Sequence, residues 1–150
     1  MKYEISNGST VLATVDSVKT YSVSGLIPLT SYTLSVIANN GLRKSSTATV
    51  TFKTRGVRFI IPRQLTVGTM IYLRYQEYSL GMVPIGTEPT GLFGGGNKKK
   101  LIANVVSATS SNSIVELTTS DTSFADNTSL AVQPDGSFAA FSGHKAIYYG

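Results

Sequence analysis

The sequence predicts an all-β protein, and three observations carry that prediction. Apolar and polar residues alternate with period two along much of the chain, as in "SYTLSVIAN" over 31–39, which sends successive side chains to opposite faces of a strand. Turn signals built from Gly, Asn and Pro punctuate these runs at about 8–12-residue intervals, the spacing of sandwich and barrel strands. Ser, Thr and 14 Gly abound while only 14% of residues are charged, a composition that suits pleated surfaces better than helices. At 150 residues and 41% hydrophobic, the chain has material for one ordinary domain or two small ones.

The elements follow in order. Residues 2–6 (KYEIS) alternate and run into Asn7-Gly8, the strongest short signal for a hairpin turn, so "TVLATV" over 10–15 returns as the second strand. "KTYSVSG" over 19–25 sets Tyr21 and Val23 against Ser22 and Ser24 and predicts a third. Pro28, which has no N–H to give to a ladder, turns residues 26–30 into a corner. Beyond it Tyr32, Leu34, Val36 and Ala38 share one face of a fourth strand, with Thr33, Ser35 and Ile37 on the other. Asn39-Asn40-Gly41 makes a turn, "TATVTFKT" over 47–54 supplies the fifth strand, and Thr54-Arg55-Gly56 closes a module spanning 1–56.

Residues 57–150 form a second, β-rich assembly domain. "VRFIIP" over 57–62 is a β-prone run stopped by proline. "TMIYLRYQEYSL" over 69–80 also groups Ile71, Tyr75 and Tyr78 at helical spacing, but its tyrosines and the preceding Val-Gly-Thr favour a strand. A Gly/Lys-rich loop over 81–100 lacks periodicity and contains Pro84 and Pro89; so long a loop in a small domain tends to be functional or mobile. Five short strands follow over 101–108, 113–118, 129–133, 137–142 and 145–149, with Pro134-Asp135-Gly136 as a turn.

No constellation for catalysis emerges. Without Cys there is no disulfide, thiolate or Cys-based metal site. His144 is the only histidine and sits in a turn-like "FSGHKA" with no nucleophile elbow. In "GLFGGGNKKK" over 91–100, Asn97 stands where a phosphate-cradling loop needs lysine, and a β-like run follows where it needs a helix. Gly94, Gly95, Gly96, Lys98, Lys99 and Lys100 therefore read as an exposed interaction loop. Three lysines without interleaved aromatics give only weak, salt-sensitive phosphate binding, which argues against nucleic acid. "DTSFADNTS" over 121–129 lacks the Asp-x-Asp-x-Asp-Gly spacing of a calcium loop. The expectation is no enzyme, no cofactor, no metal and no small-molecule substrate. No run of about 18 apolar residues suits a membrane-spanning helix, and no export signal opens the chain.

Binding features remain. Tyr72, Tyr75, Tyr78, Tyr148 and Tyr149 suit a subunit interface as well as half-buried sandwich positions. Of thirteen Lys and Arg, only Lys145 lies beyond residue 100, where Glu116, Asp121, Asp126 and Asp135 stand. That asymmetry either steers head-to-tail contacts between copies or reflects unconnected solvated charges.

"GLIPLTSYTLSVIANNG" over 25–41 resembles the later half of a fibronectin type III module, an immunoglobulin-like β-sandwich. Leu26, Pro28, Thr30, Tyr32, Val36, Ala38, Asn40 and Gly41 fall in register with that family's pattern. The resemblance covers residues 3–54. It implies that Tyr32 is a structural tyrosine corner, supported by Leu26 and Pro28, whose hydroxyl bonds back to the preceding backbone. It also implies that "YEIS" is the third strand of a sandwich truncated at its start. The two missing strands would come from later in the chain or from another subunit, or the fold would be a reduced sandwich. By analogy of fold and composition, the chain looks like a bacteriophage virion structural protein: a capsid decoration, tail or baseplate component. It would contact other virion proteins and copies of itself as a homo-oligomer in the virion, after assembly in the host cytoplasm. A bacterial surface adhesion or carbohydrate-binding module is the alternative, against which the absent Trp and export signal count.

Overall fold

Every regular element among residues 1–77, 98–121, 123–133, 136–142 and 145–150, which a computed structural model describes, is a β-strand. The chain divides into two units, Met1–Thr54 and Arg55–Gly150.

The first unit holds β1 (Lys2–Asn7), β2 (Thr10–Asp16), β3 (Ser31–Asn39) and β4 (Ala48–Lys53) in one antiparallel sheet of order β2-β1-β3-β4. Asn7 pairs with Thr10, so Gly8 and Ser9 form the two-residue hairpin loop, and Gly8 takes the φ of 58° that such a turn requires. Registers Tyr3↔Ala38, Ile5↔Val36, Leu34↔Val50 and Tyr32↔Phe52 gather the apolar side chains on one face. Lys2, Glu4, Thr33, Ser35, Thr49, Thr51 and Lys53 take the other face.

The strand expected over 19–25 is absent. Residues 18–26 join no ladder, and among the described residues they make no hydrogen bond at all. Alternation reports which side chains want cover, but a strand also needs a hydrogen-bonded neighbour, and this segment has none. Four strands therefore stand where five were expected. Of the unit's apolar residues only Ile5 is buried, at 5% exposure.

The second unit holds β5 (Arg58–Ile61), β6 (Met70–Glu77), β7 (Lys98–Ala108), β8 (Ser113–Leu117), β9 (Thr128–Ser129), β10 (Ala131–Val132), β11 (Phe138–Ser142) and β12 (Lys145–Tyr149). They form one sheet of order β10-β11-β12-β6-β7-β8-β5-β9, antiparallel except for the β5–β9 pair. Its two outermost strands are neighbours in sequence, separated only by Leu130. The sheet therefore curls until its margins meet across one residue, as where a strand switches sheets at the corner of a sandwich. Leu130 marks that corner: its N–H donates to Ile60 O at 2.8 Å and its side chain is 3% exposed in the core.

An apolar cluster fills the curl, with Phe59 and Ile61 from β5, Leu73 and Tyr75 from β6, Ala103 and Val105 from β7, Val115 and Leu117 from β8, and Ile147 from β12; Ala139, Ala146 and Tyr148 form a second, smaller one. Each large side chain so buried contributes about 1.5–3 kcal/mol. Ser113, fully buried, is satisfied: its hydroxyl donates to Arg63 O and accepts Leu65 N–H, both at 2.8 Å. A Cβ at Gly56 would stand 2.2 Å from the Leu117 carbonyl oxygen, so only glycine fits where the chain enters β5.

Two expectations are corrected here. The run over 129–133 is two short strands rather than one, because Leu130 turns inward between ladders at opposite margins. Lys98, Lys99 and Lys100 are not loop residues but open β7, pairing with Gln76, Tyr75 and Arg74. The alternation of β6 carries its ladder past Leu101 into the lysines. Over 69–80, the strand reading holds for Met70–Glu77.

Candidate interaction surfaces

In the first unit, the corner around Tyr32 is built from backbone bonds. Ile27 N–H donates to Tyr32 Oη at 2.9 Å. Thr54 Oγ1 donates to Ile27 O at 2.6 Å and accepts Thr30 N–H at 2.9 Å, and Thr30 Oγ1 donates to Pro28 O at 3.1 Å. Leu26 and Pro28 are half-buried, Leu29 takes a φ of 56°, and the Tyr32 ring stacks on Phe52 at 6.1 Å between centroids. The Tyr32 hydroxyl oxygen and the hydroxyls of Thr30 and Thr54 hold this turn.

Beside the corner, the apolar face of the sheet lies open. Tyr3, Ile5, Val15, Leu34, Val36 and Val50, with residues 18–21 and Val23, line a groove of about 440 Å³. Val50 remains 56% exposed although it points to this face. The sheet residues that line the groove carry no charge; Lys19, on the bordering segment, is its one cation.

In the second unit, alternation leaves a second face outside the core. Tyr72 pairs with Ile102, Met70 with Asn104 and Arg74 with Lys100, so these side chains share the outer surface of β6 and β7. Met70 is 59% and Tyr72 51% exposed, and Ile102 and Val106 are exposed as well. Lys100 Nζ sits 3.7 Å from the centroid of the Tyr72 ring, and Arg74 lies 4.7 Å over Tyr148. An aromatic and aliphatic patch flanked by cations over ring faces has the composition favoured at protein interfaces.

The expected interface aromatics divide. Tyr72 alone is on this surface. Tyr75 and Tyr148 are closed into the unit's own packing, at 4% and 5% exposure. Tyr75 meets Phe124 edge-on, and Tyr148 Oη donates to Gln76 Oε1 at 2.8 Å. Tyr149 is half-buried and stacks on Phe138. Tyr78, His144, Gly94, Gly95 and Gly96 lie outside the described residues, as does the loop over 81–97. Lys99 Nζ lies 5.7 Å from the Tyr75 ring centroid. Met70, Ile102 and Val106 were not foreseen as contact residues; the period-two face that they share with Tyr72 was the available signal.

Two carboxylates of the second unit, Glu116 and Asp126, are engaged structurally. Arg58 Nε donates to Glu116 Oε2 at 2.7 Å. Asp126 receives the Arg55 guanidinium through both carboxylate oxygens and Arg58 N–H at 3.0 Å. Burial pushes its pKa up, but the Arg55 hydrogen bonds and charge and the backbone N–H groups of Arg58 and Asn127 outweigh that. Its carboxyl is held below the usual 3.8. Among the described residues, no three His, Cys, Asp or Glu come together as a metal site would require, and no helix is long and apolar enough to cross a membrane.

Residues 50–149 match the family model described as baseplate upper protein immunoglobulin like domain. The match falls on the second unit and the end of β4, apart from most of the segment that resembles fibronectin type III. No curated protein and no solved structure matches the chain.

Proposed function

From the chain's membership of the baseplate upper protein immunoglobulin-like domain family, which makes it an all-β phage baseplate module, we propose that it is a non-enzymatic structural subunit acting through protein–protein contacts. The family match over two-thirds of the chain carries this reading, and it favours a tail baseplate over capsid decoration or surface adhesion. Other virion proteins are the partners, with copies of the chain itself in a homo-oligomer assembled in the host cytoplasm. The outer face of β6 and β7 is the contact surface, with Tyr72 at its centre. The first unit is a fibronectin type III-like half-sandwich, a reading supported by its β2-β1-β3-β4 order and by the bond from Ile27 to Tyr32.

Tyr72→Asp tests the contact surface. The residue is half out of the fold, so the variant keeps its core. A central aromatic anchor is worth about 2 kcal/mol or more, so incorporation into baseplates, or self-association measured by light scattering, is expected to weaken on the order of 30-fold. Wild-type incorporation and association by the variant would remove this face from the proposal.

A further inference from the structure

We infer that β4 is a pairing edge for a second copy of this chain, and that the two β4 strands meet antiparallel about a two-fold axis at Thr51. The contact stands on the geometry of the edge; its place among copies in a baseplate rests on the reading above.

The sheet margins are not alike. β9 and β10 are two residues each, and so short an edge is poorly extended. β2 inserts Leu12 as an extra residue, because Ile5↔Ala13 is followed by Ser6↔Val11, and such a bulge twists an edge away from partners. β4 has neither protection. It runs for six residues in unbroken register with β3, and it has no neighbour on its other side among the described residues. All of its residues but Phe52 are exposed. No charge, proline or glycine interrupts 48–52. An edge that is long, regular and uncharged invites strand addition.

One bond fixes which backbone groups face outward. Thr54 N–H donates to Thr30 O at 3.0 Å, and bonded pairs alternate along an antiparallel ladder. Phe52, Val50 and Ala48 therefore turn their N–H and C=O to β3, while Lys53, Thr51 and Thr49 turn theirs to the open edge.

The strand is complementary to itself at these positions. Setting Thr51 opposite Thr51 of a second copy brings Thr49 opposite Lys53, and every outward N–H then meets a carbonyl of the other copy. Val50 stands opposite Phe52, a β-branched and aromatic pair of the kind that stabilises sheets, and both stay on the apolar face. Lys53 is the only charge in the strand. The two lysines lie about 13 Å apart along the joint ladder, so like charges do not oppose each other. The result is one continuous sheet built from the β2-β1-β3-β4 order of each copy.

Sedimentation velocity and amide hydrogen exchange on the full chain test the contact. The wild type is expected to dimerise as its concentration rises, with exchange at Thr49, Thr51 and Lys53 slowing on the order of ten-fold. Thr51→Lys and Thr51→Glu each set like charges directly opposite across the axis, so either alone should weaken the dimer about ten-fold or more. Mixing the two variants sets opposite charges there and should restore it. Thr33→Val removes the 2.9 Å hydroxyl contact between Thr33 and Thr51 without touching the edge, and should dimerise as the wild type does. Protection of the Ile27 amide, held by Tyr32, verifies the fold of each variant. A wild type that stays monomeric, or Thr51→Lys that dimerises undiminished, overturns the contact. Failure of the mixture to recover overturns the two-fold register. A dimer lost in Tyr72→Asp and kept in Thr51→Lys assigns self-association to the β6–β7 face and overturns the edge. Dimerisation through Thr51 in a chain that never enters baseplates would remove the baseplate reading and leave the edge contact standing. Incorporation by a chain whose Thr51→Lys variant dimerises normally would do the reverse.

Discussion

At the residue scale, the molecule separates side chains that hold the fold from those that face outward. Tyr32 holds: its hydroxyl accepts Ile27 N–H in an exposed corner, where water can partly replace the bond. Tyr32→Phe is therefore expected to cost about 0.5–1.5 kcal/mol, read as faster exchange of the Ile27 amide. Asp126 holds by charge. Because its folded pKa lies below the ordinary 3.8, its contribution is full at neutral pH. It fades as pH falls below that value and the folded carboxylate takes up its proton. Thermal melts of wild type and Asp126→Asn should thus differ at neutral pH and converge in acid; a gap that persists unchanged in acid contradicts the assignment. What the sequence reveals at this scale is the face, not its exposure. Tyr72 and Tyr75 sit three apart and so on opposite sides of β6, but which side meets the core depends on the ladders to β7 and β12. Both were expected at an interface; Tyr72 lies half-exposed on the outer face, and Tyr75 is buried in the core.

At the element scale, alternation and turn chemistry locate most strands, because a half-buried strand must show period two and its turns must supply positive φ. Where a strand belongs to two ladders the pattern misleads. Residues 129–133 read as one strand, yet Leu130 breaks it by turning into the core between β9 and β10. Leu130→Ala removes that anchor and is expected to cost about 2–5 kcal/mol, measured by urea unfolding of the intact chain. A loss below about 1 kcal/mol would mean the corner is held by its ladders alone. Segment 19–25 misleads in the opposite sense, since its alternation is strand-like and its ladder is missing. Neither case is written in local sequence, because pairing is a property of distant chain.

At the scale of the whole molecule, the two units differ in how completely they close. The second buries an apolar cluster drawn from most of its strands, while the first leaves all but Ile5 partly wet. Amide exchange of the isolated chain should therefore be faster throughout β1–β4 than in the central strands β6, β7 and β8, by on the order of a hundred-fold or more. Equal protection in both units would show that the first has a source of stability beyond its sheet. The all-β class was legible because composition and periodicity act along the entire chain. The curl of the eight-stranded sheet was not, since it depends on which margins meet. That meeting has a consequence for how the unit comes apart. Strands β9 and β10, two residues each, are the two margins of the sheet and flank Leu130, so freeing this one stretch of chain would open both edges at once.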